Sequence, residues 1–149
     1  MGGREISAEG ELQAVYRLAD ANLNRCREGL RVLEDTARFI WNDRKVFRVF
    51  RGERHALDKL SRKIYPRLVD SRNSGSDEGR TLREGGRENL GSVLTANFRR
   101  CEESLRALEE FGKLFSARAA GRFKEMRFRM YDLEKECGKR NSHASSRKN

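Results

Sequence analysis

Apolar residues recur at steps of three and four along most of the chain, as they do on the buried face of an amphipathic helix. The pattern is clearest over residues 21–40 and 96–115, and a second periodic stretch follows each of these. No run alternates with the period of two that marks a strand. Pro66 is the one proline, and we expect it to end the second helix, since proline interrupts a helix interior. The pattern therefore predicts four helices and an all-α fold.

The sequences of the two main predicted helices are similar enough to be copies of one unit. Residues 21–40 are ANLNRCREGLRVLEDTARFI and residues 96–115 are ANFRRCEESLRALEEFGKLF, with nine of twenty positions identical at an offset of 75. Such a repeat indicates a duplicated hairpin of helices. The apolar faces correspond as well, and they consist of Leu23, Cys26, Leu30, Leu33, Ala37 and Ile40 in the first copy and Phe98, Cys101, Leu105, Leu108, Gly112 and Phe115 in the second.

Two hairpins with short turns at 42–44 and 116–119 predict an antiparallel four-helix bundle. The repeated halves cover about residues 11–66 and 88–138. Because neither hairpin can bury its apolar face alone, we expect the two halves to form one helical bundle domain.

Two segments lie outside this pattern. Residues 67–87 form a long central loop, and a loop of this length in a compact domain is usually functional or disordered. Residues 139–149 are basic, rich in Ser and Asn, and without apolar period, so we expect them to be a disordered tail after a domain of residues 1–138.

Composition narrows the class of protein. The chain has 149 residues, of which 36% are hydrophobic and 38% charged, with a net charge of +10. That length suits one domain. No run approaches the ~20 apolar residues of a membrane span, and the N-terminus lacks the apolar core of a signal peptide. Cys26, Cys101 and Cys137 form neither a disulfide framework nor a zinc motif. We therefore expect a cytoplasmic protein.

Polar residues interrupt the apolar face of both main helices. At 100° per residue, Asn22 lies in the centre of the first apolar stripe and Arg25 at its border, with Glu28 beside Arg25. Asn97, Arg100 and Glu103 repeat the arrangement. Polar groups on a core-facing surface need partners. Two interpretations stay open: a buried polar network that sets the register of the bundle, or a pair of Asn-Arg-Glu clusters that line a pocket between the hairpins.

The opposite face is charged. Glu34 and Arg38 have the spacing of a favourable ion pair within a helix, and Arg106 and Glu109 mirror part of this pattern in the second copy. We expect a solvated face here.

The central loop carries candidate ligands for a nucleotide. Its carboxylates can hold Mg²⁺ and its arginines can hold phosphates, although ordinary loop solubility explains the same residues. No phosphate-binding glycine motif, catalytic triad or metal-binding histidine pair occurs in the sequence. The loop residues concerned are Asp70, Arg72, Asp77, Glu78 and Arg80.

Two motifs carry a family resemblance. Residues 20–39, DANLNRCREGLRVLEDTARF, resemble the helical domain at the N-terminus of some bacterial thiamine-phosphate synthases, a domain that also occurs alone. Residues 96–113, ANFRRCEESLRALEEFGK, match the second motif of that family, often written ANFKRAxEALRVLEEYGK. Ser71-Arg72 and Asp77-Glu78-Gly79 look like the family's loop. The resemblance covers about residues 14–135.

Four positions depart from the family pattern. Asn73 stands where the family usually has Asp, and Glu78 stands where it usually has Val. Cys26 and Cys101 replace Ala. The Asn73 departure removes a carboxylate that could face a metal, whereas the cysteines are expected only to fill core space.

The resemblance implies an alternative hydroxymethylpyrimidine phosphate kinase. Such an enzyme uses ATP to convert 4-amino-5-hydroxymethyl-2-methylpyrimidine phosphate into the diphosphate that thiamine-phosphate synthase consumes. On this reading Arg25, Arg100 and Arg72 bind phosphate, and Asp77 is the first candidate for Mg²⁺. The loop would close over the site to exclude water. The aminopyrimidine would be held by Asn22, Asn97, Glu28 and Glu103.

Two other functions compete with the kinase. The first is a non-catalytic module that binds a pyrimidine phosphate or docks on thiamine-phosphate synthase and regulates it. The second is a basic helical nucleic-acid binder, which has no base-reading motif to support it. Pairing of apolar stripes between subunits, for example near Trp41, leaves a homo-oligomer open.

Overall fold

The computed structural model describes residues 6–146, with side chains described for residues 6–140. Over this range the chain is helical and has no strand. Five α-helices are linked by short turns and the central loop, which itself contains two 3₁₀ turns at Ser74–Ser76 and Glu78–Thr81. The helices are α1 (Ala8–Asp35), α2 (Arg44–Ser61), α3 (Tyr65–Asp70), α4 (Leu90–Gly112) and α5 (Ala117–Ser146).

Side chains at the helix starts explain where the elements begin. Ser7 accepts a hydrogen bond from the Gly10 amide at 3.1 Å, and Asp43 accepts one from the Val46 amide at 3.0 Å. Asn89 and Ser92 form a reciprocal capping box at the start of α4. Each of these contacts satisfies an amide that the first turn of a helix leaves without a backbone partner.

α1 and α4 form the centre of the molecule, while α2 covers α1 and α5 covers α4. Gly29 lies against Asn97 and Cys101, whereas Asn22 shares a cavity with Glu103. The order of contacts is reversed between the two helices, so α1 and α4 run antiparallel. The predicted helical bundle built from two hairpins is confirmed.

The centre of the α1–α4 contact is formed by equivalent positions of the repeat. Cys101 Sγ lies 3.6 Å from the Cys26 carbonyl oxygen, and both side chains are fully buried. Contact with Cys26 and burial together raise the pKa of the Cys101 thiol. The core around this contact consists mainly of Leu23, Leu30, Leu33, Phe50, Phe98, Leu105, Leu108, Phe123 and Met130. These cysteines are packing residues, as expected.

The end of α1 differs from the expected face. Residues Thr36–Ile40 form a π-helical turn, which holds one more residue than an α-helical turn. Ala37 remains buried, but the extra residue rotates Ile40 off the apolar face and leaves it 57% exposed. The assignment of Ile40 to the core stripe is therefore wrong.

Pro66 begins a helix rather than ending one. α2 ends at Ser61, and Pro66 occupies the first turn of α3, where its missing amide hydrogen costs no helical bond. The second hairpin also turns slightly earlier than expected, because α5 already begins at Ala117.

Part of the predicted tail after residue 138 is helical. α5 continues through Ser146, so residues 139–146 are helical rather than disordered, and Arg140 pairs with Asp43. Residues 147–149 lie outside the described part of the chain, as do residues 1–5. None of the helices described between residues 6 and 146 combines the length and apolar character needed to cross a membrane.

Buried ion pairs close both hairpins, which corrects the expectation of a solvated face. Glu34 is buried and pairs with Arg54 of α2 at 2.8 Å, not with Arg38. Its repeat equivalent, Glu109, pairs in the same way with Arg127 of α5 at 2.8 Å. Burial alone would raise the pKa of Glu109, but the neighbouring arginines outweigh it and lower that pKa.

One buried carboxyl forms no ion pair with any of the described residues. Glu102 is 8% exposed and its Oε2 has no hydrogen-bond partner. Burial raises the pKa of Glu102 to about 8, with further contributions from a hydrogen bond to Glu134 and the charge on it. The equivalent position in the first half is Arg27, which pairs with Asp58 at 2.6 Å. The second hairpin thus has two carboxyl groups where the first has an ion pair.

Gly29→Ala should destabilise the fold by about 1–3 kcal/mol, the usual effect of overpacking a core. A Cβ at this position would lie 2.7 Å from Cys101 Sγ and 3.0 Å from the Asn97 carbonyl oxygen. Gly52→Ala is the matched control, since nothing lies within 4 Å of its Cβ position in α2. It should stabilise by about 0.5–1 kcal/mol. Urea unfolding of both variants measures this, and equal effects would contradict the close α1–α4 approach.

The Glu102 carboxyl should make stability fall as pH rises. Its pKa is about 8 in the folded chain against an ordinary 4.5, so between these values the native state keeps a proton that the unfolded state has lost. Glu102→Gln should flatten this pH dependence. Between pH 5 and pH values above about 8, the variant should lose less stability than the parent chain. Urea midpoints across this range are the measurement, with Glu125→Gln on the exposed face of α5 as control. An unchanged slope would contradict the assignment.

Candidate functional site

Asn22 occupies the position that the helical angles predict. It is 6% exposed, its Nδ2 donates to the Leu18 carbonyl at 3.0 Å, and its Oδ1 accepts from Arg25 Nη1 at 3.3 Å. Asn97 repeats the first bond, donating from Nδ2 to the Val93 carbonyl at 2.8 Å. Both amides are therefore satisfied within their own helices, and Asn22 in addition orients the guanidinium of Arg25.

Two adjoining cavities share Asn22 and Arg25. One, of about 550 Å³, lies between α1 and α4 and is lined by Ala96, Arg99, Arg100, Glu103 and Ser104. The other, of about 560 Å³, lies between α1 and the central loop and includes Arg17, Ser71, Asn73 and Asp77. We call the combined surface the Asn22 groove. Its two parts have the size of small-molecule sites.

The arginines of the Asn22 groove differ in their partners. Arg100 pairs with Glu28 at 3.2 Å and with Glu84 of the loop at 2.9 Å. Arg17 donates to the Asn73 carbonyl at 2.8 Å and so holds the loop against α1. Arg25, by contrast, has no carboxylate partner among the described residues and bonds only to the Asn22 amide. Its charge is available to an anion.

Arg72 is not part of this groove. It forms a two-pronged pair with Asp20, at 2.7 and 3.0 Å, and Asp20 is nearly buried. The hydrogen bond with Asp20 raises the pKa of Arg72. Arg72 lines a different cavity, together with Arg27 and Asp58. Its evident role is to fasten the loop to α1.

Asp77 lies at the rim of the Asn22 groove, where its Oδ1 accepts from the Gly79 amide at 2.9 Å. Among the described residues, it is the only carboxylate that lines the loop cavity. Within the same residues no three His, Cys, Asp or Glu side chains form a cluster that could hold a metal ion by itself. The Mg²⁺ expected at Asp77 together with a nucleotide stays a prediction, because Mg²⁺ is commonly held by one or two carboxylates and by phosphate oxygens.

The structure thus brings some of the predicted residues together and separates others. Asn22, Arg25, Arg100, Glu103 and Asp77 all line the Asn22 groove. Glu28 reaches it through Arg100, whereas Asn97 lies against Gly29 and lines neither cavity.

Two arginines of the groove were missed from the sequence. Arg17 lies about two turns before Arg25, and Arg99 directly precedes Arg100. The helical phase of α1 could have suggested Arg17, but its contact with the loop has no local signal.

Comparison with known proteins identifies relatives over most of the chain. The ThiD2 family profile matches residues 17–136. The thiamine-phosphate synthase of Nostoc punctiforme is 42% identical over 125 residues, which are 82% of this chain and 35% of that protein. The thiamine-phosphate synthases of Thermosynechococcus vestitus and Rhodopirellula baltica are 37% and 38% identical, covering 88% and 81% of this chain.

This chain spans about a third of the length of those relatives. No solved structure gives a significant match. The resemblance to the helical domain in the N-terminal part of thiamine-phosphate synthases is confirmed.

The expectation of a hydroxymethylpyrimidine phosphate kinase is corrected by the same findings. The relatives are named for the synthase reaction, which is a different reaction from that kinase's phosphoryl transfer. The kinase expectation came from the family resemblance, and the names of the relatives do not support it.

Arg17→Ala should loosen the central loop, because it removes the bonds to the Asn73 carbonyl and the Ser76 hydroxyl. One net hydrogen bond contributes about 1 kcal/mol, so tryptic cleavage after Arg80 or Arg83 should accelerate about fivefold. Arg48→Ala, an exposed residue of α2, is the control and should leave the rate unchanged. Equal cleavage rates for Arg17→Ala and the parent would show that Arg17 does not hold the loop.

Proposed function

The chain belongs to the ThiD2 family, and from this premise we propose that it serves thiamine biosynthesis as a non-catalytic module that binds a pyrimidine phosphate and partners thiamine-phosphate synthase. The observation that carries the proposal is the guanidinium of Arg25. Asn22 orients it, two cavities meet at it, and no carboxylate among the described residues neutralises it.

The groove matches the two ends of a pyrimidine phosphate. A phosphate is bound best by charge-assisted hydrogen bonds, which Arg25 supplies directly and Arg99 or Arg100 can supplement from α4. An aminopyrimidine ring offers both donors and acceptors. The Glu103 carboxylate can accept from its amino group, and the Ser104 hydroxyl can donate to or accept from the ring. Both lie in the same cavity as Arg25.

Partnership with the synthase is supported by where the relatives carry this region. In each of them the matched segment makes up about a third of a longer protein named thiamine-phosphate synthase. A covalent link keeps a binding module close to the rest of its chain at high effective concentration. We propose that this chain cooperates with a synthase in the same way.

Titration calorimetry with 4-amino-5-hydroxymethyl-2-methylpyrimidine phosphate tests ligand binding. The parent chain should bind saturably, and Arg25→Ala should weaken binding about tenfold or more, since a hydrogen bond to a charged group contributes about 1.5–3 kcal/mol. The exposed side chain of Arg25 makes no contact that the core needs, so the variant should remain folded. Arg48→Ala removes an equal charge elsewhere and should leave the affinity unchanged.

Three results would overturn the proposal. The first is no binding of the pyrimidine phosphate, and the second is equal weakening by Arg48→Ala. The third is protein-dependent appearance of the pyrimidine diphosphate in the mass spectrum when ATP and Mg²⁺ are added, which would show catalysis. Sedimentation with the thiamine-phosphate synthase of the same organism tests the partnership separately, and independent sedimentation at micromolar concentrations would exclude a stable complex.

A further inference from the structure

The outer helices of the two hairpins leave an open groove between them, of about 520 Å³. It lies between the end of α2 and the first half of α5, and we call it the α2–α5 groove. It shares no residue with the Asn22 groove. Its floor is apolar and is formed by Ala56, Leu60, Ala119 and Met126.

The rim of the α2–α5 groove is cationic on both sides. Lys59 and Lys63 lie one turn apart on the α2 side, and Arg118 and Arg122 lie one turn apart on the α5 side. Of the described residues, Glu125 is the one carboxylate that lines this groove, and its contact with Arg122 is long, at 3.8 Å. Like charges one turn apart on a helix repel, as Arg118 and Arg122 do on α5, and Lys59 of α2 and Lys63 of the turn after it border the same cleft.

The facing cations explain why this side of the bundle stays open. Among the described residues, Glu53 and Arg129 form the ion pair that joins the two outer helices at this groove, at 2.7 Å. Lys59, Lys63 and Arg118 have no carboxylate partner within the described part of the chain. An anionic group placed between the helices would neutralise the facing cations and remove their repulsion. The groove therefore has the charge and shape of a binding surface for an anionic partner.

We propose that the α2–α5 groove docks an acidic amphipathic helix of a partner protein. The two cations on α5 are four residues apart, or about 6 Å along the helix axis, which is also the spacing of carboxylates at i and i+4 on a docked helix. The apolar floor, with small residues at Ala56 and Ala119, accepts the apolar face of such a helix. A compact phosphate would use one pair of cations and leave the floor exposed.

A second copy of this chain is a poorer occupant. The same face of another copy would bring a second set of four cations against the first, and like charges across an interface oppose association. A nucleic acid would contact the cations but has no apolar face for the floor. Because the groove is separate from the Asn22 groove, the proposal stands or fails independently of pyrimidine phosphate binding.

A labelled peptide of about 18 residues tests the proposal, with Leu and Ala on one helical face and Glu on the others. Fluorescence anisotropy should show saturable binding to the full chain. Lys59→Glu with Lys63→Glu should weaken it about tenfold or more. Arg48→Glu with Arg51→Glu makes the same change in net charge on the exposed face of α2 and should change the affinity less than about twofold. Circular dichroism verifies that the variants are folded.

Arg118→Gln with Arg122→Gln tests the opposite wall and should also weaken binding, which keeps the test decisive if the lysine variant unfolds. A scrambled peptide of the same composition should bind at least about tenfold more weakly, because it has no continuous apolar face. Two results would show that binding is only general charge attraction and would overturn the proposal. One is equal affinity for the scrambled and the designed peptide, and the other is an equal loss of affinity in the Arg48/Arg51 and Lys59/Lys63 variants. Full displacement of the peptide by equimolar inorganic tripolyphosphate or single-stranded DNA would overturn it as well.

Discussion

The contact between α1 and α4 at Gly29 is the constraint on which the rest of the structure depends. A Cβ at position 29 would collide with Cys101 Sγ and the Asn97 carbonyl, so the two backbones approach this closely only because the residue is glycine. The contact lies beside Cys26 and Cys101, which are equivalent in the repeat and therefore mark the pseudo-twofold axis between the hairpins.

Charge in this protein is divided between paired and unpaired arginines. Glu34 and Glu109 are buried, and each is neutralised by an arginine of the covering helix. These ion pairs join the two helices of each hairpin and leave little unpaired charge there. Arg72 is likewise committed to Asp20. Arg25 has no carboxylate partner in the part of the chain that the structure describes, and it lies where two cavities meet. Candidate binding surfaces in this protein are therefore identified by cations that have no carboxylate partner among the described residues, more than by the number of cations.

Local periodicity was enough to predict the four long helices and the burial of Asn22, because both follow from the rotation of 100° per residue. It did not predict α3, which lies in part within the expected loop of residues 67–87. The periodicity placed Ile40 wrongly, because the π-helical turn adds one residue and the apolar pattern gives no sign of that insertion. The pairing of Asp20 with Arg72 joins residues 52 positions apart and depends on how the loop folds back over α1. The same holds for Arg17, whose contact with Asn73 makes it part of the groove. Long-range ion pairs of this kind have no signature in a single sequence.

Duplication made the two halves similar, and the central loop makes them different. The loop crosses α1 near Asn22 and supplies Asn73 and Asp77 to the cavity there. Among the described residues, the corresponding part of α4 has no such segment across it, and Asn97 lines neither cavity of the Asn22 groove. After duplication the two asparagines differ in their surroundings: in α4 the Asn97 backbone carbonyl lies against Gly29, whereas in α1 Asn22 orients a cation beside an open groove. Arg100 and Glu103 of the second copy line the same groove as Asn22 and Arg25, so polar residues of both halves border one cavity.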